Sequence, residues 1–286
     1  MTTLRLATLN LWNKSGPWPQ RLELIQREIR RLKPDLLGLQ EVLRLAHPSE
    51  TNAEHTPRTC QAHEVREGFQ YRVAYAKASD FGGGLLFGNA LLSRYPILEQ
   101  QDFVLPGATP EESRVLLYAC VETPYGELPV FVTHLNWKLH HASIRLEQVR
   151  FVAEQIGKLC PVRGPRLPPV LMGDFNADPD SDEMRFLRGL AVVEGKSVYF
   201  ADAWIYGGPP EPGATFDRQN AFASRAHEPS RRIDYIFVRG PDRLLRGEPV
   251  TTALAFNRPE TFPEGRVWPS DHFGLVSDIV FEARSP

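Results

Sequence analysis

Residues 35–42 read DLLGLQEV, an apolar strand candidate that stops abruptly at the polar pair Gln40 and Glu41. Upstream, TLRLATLNL at 3–11 alternates loosely between apolar and small or polar residues, as a buried strand does. It gives way around Asn10, Trp12 and Asn13, where a loop is expected. Between the two runs, Trp18, Leu22, Ile25, Ile29 and Leu32 form the stripe of an amphipathic helix that Pro34 stops. Strand, helix and strand within about 40 residues make a β-α-β opening, with the helix packed on a sheet.

Beyond it the chain changes character. The stretch 43–68 is polar, carries His47, His55 and His63, and reads as a loop with a short helix. Strand candidates follow around 70–76, 84–93, 97–104, 114–122 and 128–135, close enough together to pair antiparallel, with turn signals such as Tyr125-Gly126 between them. Gly82-Gly83-Gly84 is read as a tight turn, because no Gly-Lys-Ser/Thr follows to make a phosphate loop. Val149, Val152, Ile156 and Leu159 mark a second amphipathic helix, and the Pro-rich PVRGPRLPP leads into the strand PVLMGDFN. The remainder repeats the logic: a short helix near 180–190, a Pro/Gly loop at 207–213, and strands near 231–238, 243–255 and 272–281. The 25 prolines cluster in connections rather than in one linker, so residues 1–286 are expected to form a single domain.

Composition narrows the class. With 42% hydrophobic and 24% charged residues the chain is a folded globular protein. A net charge of −2 supplies no broad positive field, which argues against a long nucleic-acid footprint. The basic clusters Arg27, Arg30, Arg31, Lys33 and Arg225, Arg231, Arg232 are read as solvated faces. Cys60, Cys120 and Cys160 are odd in number and widely spaced, as reduced structural thiols are. Neither a basic leader with a cleavage site nor a run of about 18 apolar residues is found, so a cytoplasmic protein, monomeric by default, is expected.

Five strand-end segments collect acids, amides and histidines: Asn10; Gln40-Glu41; His134 with Asn136; Gly173-Asp174-Phe175-Asn176; and Asp234 with Ser270-Asp271-His272. Each has an ordinary reading alone, since surface Glu is commonly solvated and Asp and Asn favour turns. Their recurrence at the ends of apolar strands is the pattern of catalytic groups carried on loops of a rigid scaffold. Adjacent strand residues point to opposite faces, so Asp271 and His272 need a loop to serve one site. Arg145 and Gln148 on the second helix are read as surface or supporting groups, and His140 and His141 as unpaired loop histidines.

In order and wording, seven segments, TLNLW, LLGLQEV, GNALLSRYPI, VTHLNW, LMGDFNADP, RRIDYIFV and SDHFGL, resemble the endonuclease/exonuclease/phosphatase superfamily of DNase I-like, metal-dependent phosphoesterases. The resemblance covers nearly the whole chain. It implies an α/β (α+β) fold, a four-layered sandwich of two packed mixed β-sheets flanked by helices. It also implies roles: Glu41 as principal metal ligand, helped by Asn10 and Asp271; Asp174 as the base for the attacking water; Asn176 on a phosphate oxygen. His272 would contact the phosphate with Asp234 on its other ring nitrogen, His134 would donate to the phosphate or the leaving group, and Arg114 and Asn136 would bind substrate. Oxygen donors without cysteine suit Mg2+ or Mn2+. The expected function is hydrolysis of a small or lipid-derived phosphodiester. The alternatives are a nuclease acting on DNA or RNA and a catalytically idle binding relative, and the loops 43–68 and 205–227 would select the substrate.

Overall fold

The computed structural model describes residues 3–46, 60–109, 112–162 and 164–283. The chain opens with β1 (Thr3–Asn10), α1 (Trp18–Leu32), β2 (Leu36–Leu45) and α2 (Gln61–Val65). Five strands follow, β3 (Arg72–Asp80), β4 (Leu85–Ser93), β5 (Ile97–Val104), β6 (Val115–Thr123) and β7 (Gly126–His134), then α3 (Ala142–Leu159), β8 (Val170–Asp174) and α4 (Asp182–Leu187). The last part holds β9 (Ala201–Asp202), α5 (Ala203–Gly207), β10 (Asp234–Val238), β11 (Glu248–Ala255), β12 (Glu260–Phe262), β13 (Gly265–Val267) and β14 (Gly274–Val280).

Two six-stranded sheets result, in the orders β11-β14-β1-β2-β4-β3 and β5-β6-β7-β8-β10-β9. Both are mixed for the same reason. A helix crossover joins β1 to β2 and another joins β7 to β8, making those pairs parallel, while every other pair in the two sheets is antiparallel. The sheets pack face to face over Leu4, Leu6, Leu36, Leu117, Val130, Val132, Val170, Met172 and Ile236. α1 covers the outer face of the first sheet, where Ile25 and Ile29 meet Leu37 and Leu39. α3 covers the second, where Val149, Val152 and Ile156 meet Leu116, Phe131 and Leu171. The expected four layers are therefore present.

The alternation of strand side chains places the site. Val130 and Val132 lie in the inter-sheet core, so two residues further His134 falls on the same face; Val170 and Met172 do the same for Asp174, and Val238 and Ile236 for Asp234. Leu4 and Leu6 carry Asn10 inward likewise. Register completes the row, because Asp174 lies opposite His134 on one side and opposite Asp234 on the other.

Several expectations need correcting. The strand from residue 35 runs on to Leu45, and the short helix occupies Gln61–Val65, while His47 and His55 lie outside the described residues. The strand expected from 231 begins at Asp234, and β9 and the β12–β13 hairpin went unanticipated because two- and three-residue strands carry no period. Arg231 and Arg232 are not solvated: both are buried, Arg232 against Asp202 at 2.9 Å and Arg231 against Glu228 at 2.9 Å. Arg145 is buried on Glu183 at 2.9 Å, and buried Gln148 accepts from the backbone N–H of Asn136 at 3.0 Å. Among the described residues, no helix is long and apolar enough to cross a membrane.

Candidate active site

Asp174, 1% exposed, is the centre of the cluster. The Asn10 side-chain amide donates to its Oδ2 at 3.0 Å, and the Asn176 backbone N–H donates to its Oδ1 at 2.9 Å. His134 Nε2 stands 3.4 Å and His272 Nε2 3.8 Å from the same carboxylate. His272 turns its Nδ1 to Asp234 at 2.9 Å, so one imidazole bridges the two acids. Asn10 also donates to Glu41 at 3.3 Å, and the Asn13 side chain reaches the other Glu41 oxygen at 3.2 Å.

Local backbone devices aim these groups. Strict alternation would send Glu41 away from the inter-sheet cleft, because Gln40 already points inward to Thr8. A register shift between Leu39 and Val42, with Glu41 at φ +57°, resets it. Asn176 adopts φ +50°, which asparagine tolerates better than most residues. Gly173 lies at φ +140°, and a Cβ there would stand 2.0 Å from the carbonyl oxygen of Thr133, so only glycine lets β8 pair with β7 beside the acid. Asp271 and His272 occupy the expected loop before β14, where Ser270 donates to the Asn10 carbonyl at 2.7 Å and Asn220 donates to the carbonyls of Ser270 and Asp271 at 2.7 and 3.1 Å.

The charge balance is distinctive. Burial, reinforced by the Asp234 carboxylate, pushes Asp174 up to about 7. Burial and the nearby Glu41 push Asp271 up to about 6. For His272 burial opposes the charge, but the carboxylates of Asp234 and Asp174 prevail and hold it well above the ordinary imidazole value. His134 moves the opposite way: burial, with Arg114 and His272 adding positive potential, keeps it neutral. Two histidines in one site thus hold different protonation states.

A divalent cation fits this cluster. Four carboxylates, Glu41, Asp174, Asp234 and Asp271, share the site with two cations, His272 and the buried Arg21, which acts on both Asp271 and Glu41. The carboxylates outnumber these two cations, and the donors are oxygens of the kind a hard ion takes. Glu41, Asn10 and Asp271 could hold it. Ligand-type atoms of Asp174, Asp234 and His272 also lie within 4.8 Å of one another, although the His272 to Asp234 hydrogen bond already occupies that group.

Of the ten residues singled out in the sequence, Asn10, Glu41, His134, Asp174, Asn176, Asp234, Asp271 and His272 gather here. Asn176 spends its side-chain amide on the Leu135 carbonyl at 3.2 Å. Arg114 borders the site through its effect on His134. The side-chain oxygen of Asn136 accepts from the Lys138 N–H and contacts His141 Nδ1, both at 3.1 Å. Arg21 is the residue that sequence reasoning missed. Wholly buried between the indoles of Trp12 and Trp18, it donates to the carbonyls of Leu11, Ser15 and Pro269 and so joins two site loops. Its place beside the apolar stripe of α1 hid it; the run of two Trp around it was the available signal.

The arrangement thus sets a buried acid between a charged and a neutral imidazole, beside an oxygen-donor set that a hard cation would suit. Residues 7–272 match the endonuclease/exonuclease/phosphatase family, and the chain belongs to it. That membership places it among phosphoesterases as a class. The chain is similar to nocturnin of Xenopus laevis, 26% identical over 283 residues covering 92% of this chain and 65% of that protein. It is similar too to Protein angel of Drosophila melanogaster, 27% identical over 183 residues, 60% of this chain and 47% of that one. The matches therefore span about half to two thirds of those relatives. In fold it resembles an endonuclease/exonuclease/phosphatase family protein from Leptotrichia buccalis, with TM-score 0.72 at 17% identity, covering 97% of this chain and all of that one.

Proposed function

We propose that the chain hydrolyses small phosphodiesters as a single catalytic domain over residues 1–286, using Mg2+ or Mn2+ held by Glu41, Asn10 and Asp271. When bound, the cation neutralises charge on the phosphate and polarises it towards attack. Asp174 takes the proton of the attacking water; its raised affinity for a proton, caused first by burial, suits it to act as a base near neutral pH. His272, kept charged by Asp234 and Asp174, faces the phosphate and stabilises the departing oxygen. Neutral His134 donates a hydrogen bond to a phosphate oxygen from Nε2, the nitrogen beside Asp174, while its buried Nδ1 has no partner among the described residues. The observation that carries this reading is the in-register row of His134, Asp174 and Asp234, bridged by His272.

The test is a substrate panel under each metal: bis-nitrophenyl phosphate, nitrophenyl phosphate, plasmid DNA and sphingomyelin. Metal-dependent turnover of the small diester above the monoester and above DNA is expected. Dominant phosphate release from the monoester would overturn the diester assignment, and preferential nicking of plasmid would make the chain a nuclease.

A further inference from the structure

Next to His134 lies a cleft of about 450 Å³, a size suited to a small organic group, lined by Phe81, Phe87, Trp137, Ser79, Lys138 and Arg114. Phe81 is 58% and Trp137 53% exposed, and the two rings border this one cleft, where a ligand could cover both. The rings lead inward: Phe81 sits 5.5 Å from Phe87, and Phe87 sits 6.4 Å from the His134 imidazole. Arg114 is only 7% exposed and binds Glu112 through Nε and Nη2, at 3.1 and 3.0 Å. Its buried Nη1 has no hydrogen-bond partner among the described residues. A buried guanidinium N–H left open calls for an acceptor.

We propose that this cleft recognises a flat heteroaromatic ring of nucleobase type carried by the ester, so that the substrate is a small nucleotide-like phosphodiester; this rests on the phosphoesterase reading above. A base offers π-faces to Phe81, Phe87 and Trp137, and its ring nitrogens or the phosphate oxygens offer acceptors to Arg114 and Lys138, whereas an acyl chain would desolvate both cations and return them nothing. The net charge of −2 supplies no broad positive field for a long polyanion, which favours a short ligand.

The experiment compares inhibition by AMP and by glycerol 3-phosphate, with bis-nitrophenyl phosphate as reporter and Mg2+ present, in wild type and in the Phe81→Ala/Trp137→Ala double variant. Base stacking gives about fivefold to 150-fold per base, so AMP should inhibit wild type at least about tenfold more tightly. In the double variant that ratio should fall towards one. AMP should also quench tryptophan fluorescence in wild type, and less so in Trp137→Phe. Equal inhibition constants in wild type, a ratio unchanged in the double variant, or tighter inhibition by an alkyl phosphate than by AMP would each overturn the proposal. If no ester is turned over under any metal, the phosphoesterase reading fails, while the fluorescence titration still decides whether the cleft takes a base.

Discussion

Replacing Arg21 by Met should destabilise the fold markedly, although the residue lies outside the hydrophobic core. The guanidinium is wholly buried and donates to the Pro269 carbonyl at 3.1 Å, to the Ser15 carbonyl at 2.6 Å and to the Leu11 carbonyl. Hydrogen bonds from charged donors contribute roughly 1.5–3 kcal/mol each, and the indoles of Trp12 and Trp18, 5.0 and 5.3 Å from the charge, add about 1 kcal/mol. Burial of the charge itself, which lowers the Arg21 pKa to about 10, offsets part of that sum. Methionine fills most of the space but takes the donor from the buried Leu11 and Pro269 carbonyls and the half-buried Ser15 carbonyl, so a net loss of about 3–5 kcal/mol is expected. For a chain of this size that corresponds to a fall in Tm of very roughly 6–20 °C, read by circular dichroism at fixed pH and salt. A shift of under about 2 °C would refute the claim that Arg21 ties the loop after β1 to the loop before β14.

Other outcomes follow from the same geometry. Gly173→Ala should drive β7 and β8 apart, since the new Cβ would meet the Thr133 carbonyl oxygen at 2.0 Å, and the variant should unfold well below wild type or fail to accumulate in soluble form. Asp174→Asn should cut kcat by about 10³ or more while stabilising the metal-free protein at pH 8. The sign follows from its folded pKa of about 7 against about 3.9 for the unfolded chain: below the lower value the group is protonated in both states, and stability then falls as pH rises towards 7 and levels off. The gain in Tm over wild type should accordingly be present at pH 8 and vanish near pH 3.5, and a pH-independent difference would count against the buried charge as its cause. Glu41→Gln should weaken Mg2+ binding by at least about tenfold, measured by calorimetric titration, with Tm changed little; unchanged affinity would remove Glu41 from the ligand set.

How far the sequence carried the argument depends on the residue. The row of His134, Asp174 and Asp234 was legible because each extends an apolar alternation by two residues, and strand periodicity survives any detail of packing. Asn10 was legible for the same reason. Glu41 was named through its motif, but its aim depends on a bulge and a positive φ that no period encodes. Arg21, Arg145, Arg231 and Arg232 were illegible because arginine is read as a surface residue until its partner is known. Most of those partners, the Leu11 and Pro269 carbonyls, Glu183 and Asp202, lie on other parts of the chain, while Glu228 stands three residues before Arg231 in a connection without a period. Asn136 was named through the resemblance, and what no motif encodes is that its side-chain oxygen accepts from the Lys138 N–H and contacts His141.

The central claim is that Glu41, Asn10 and Asp271 hold one cation against the acid and histidine row. Crystals grown with Mn2+ and measured at the manganese absorption edge test it most directly. An anomalous peak is expected within coordination distance of the Glu41 carboxylate, on the inter-sheet side of Asn10. A peak elsewhere on the molecule, or none at saturating Mn2+, would contradict it.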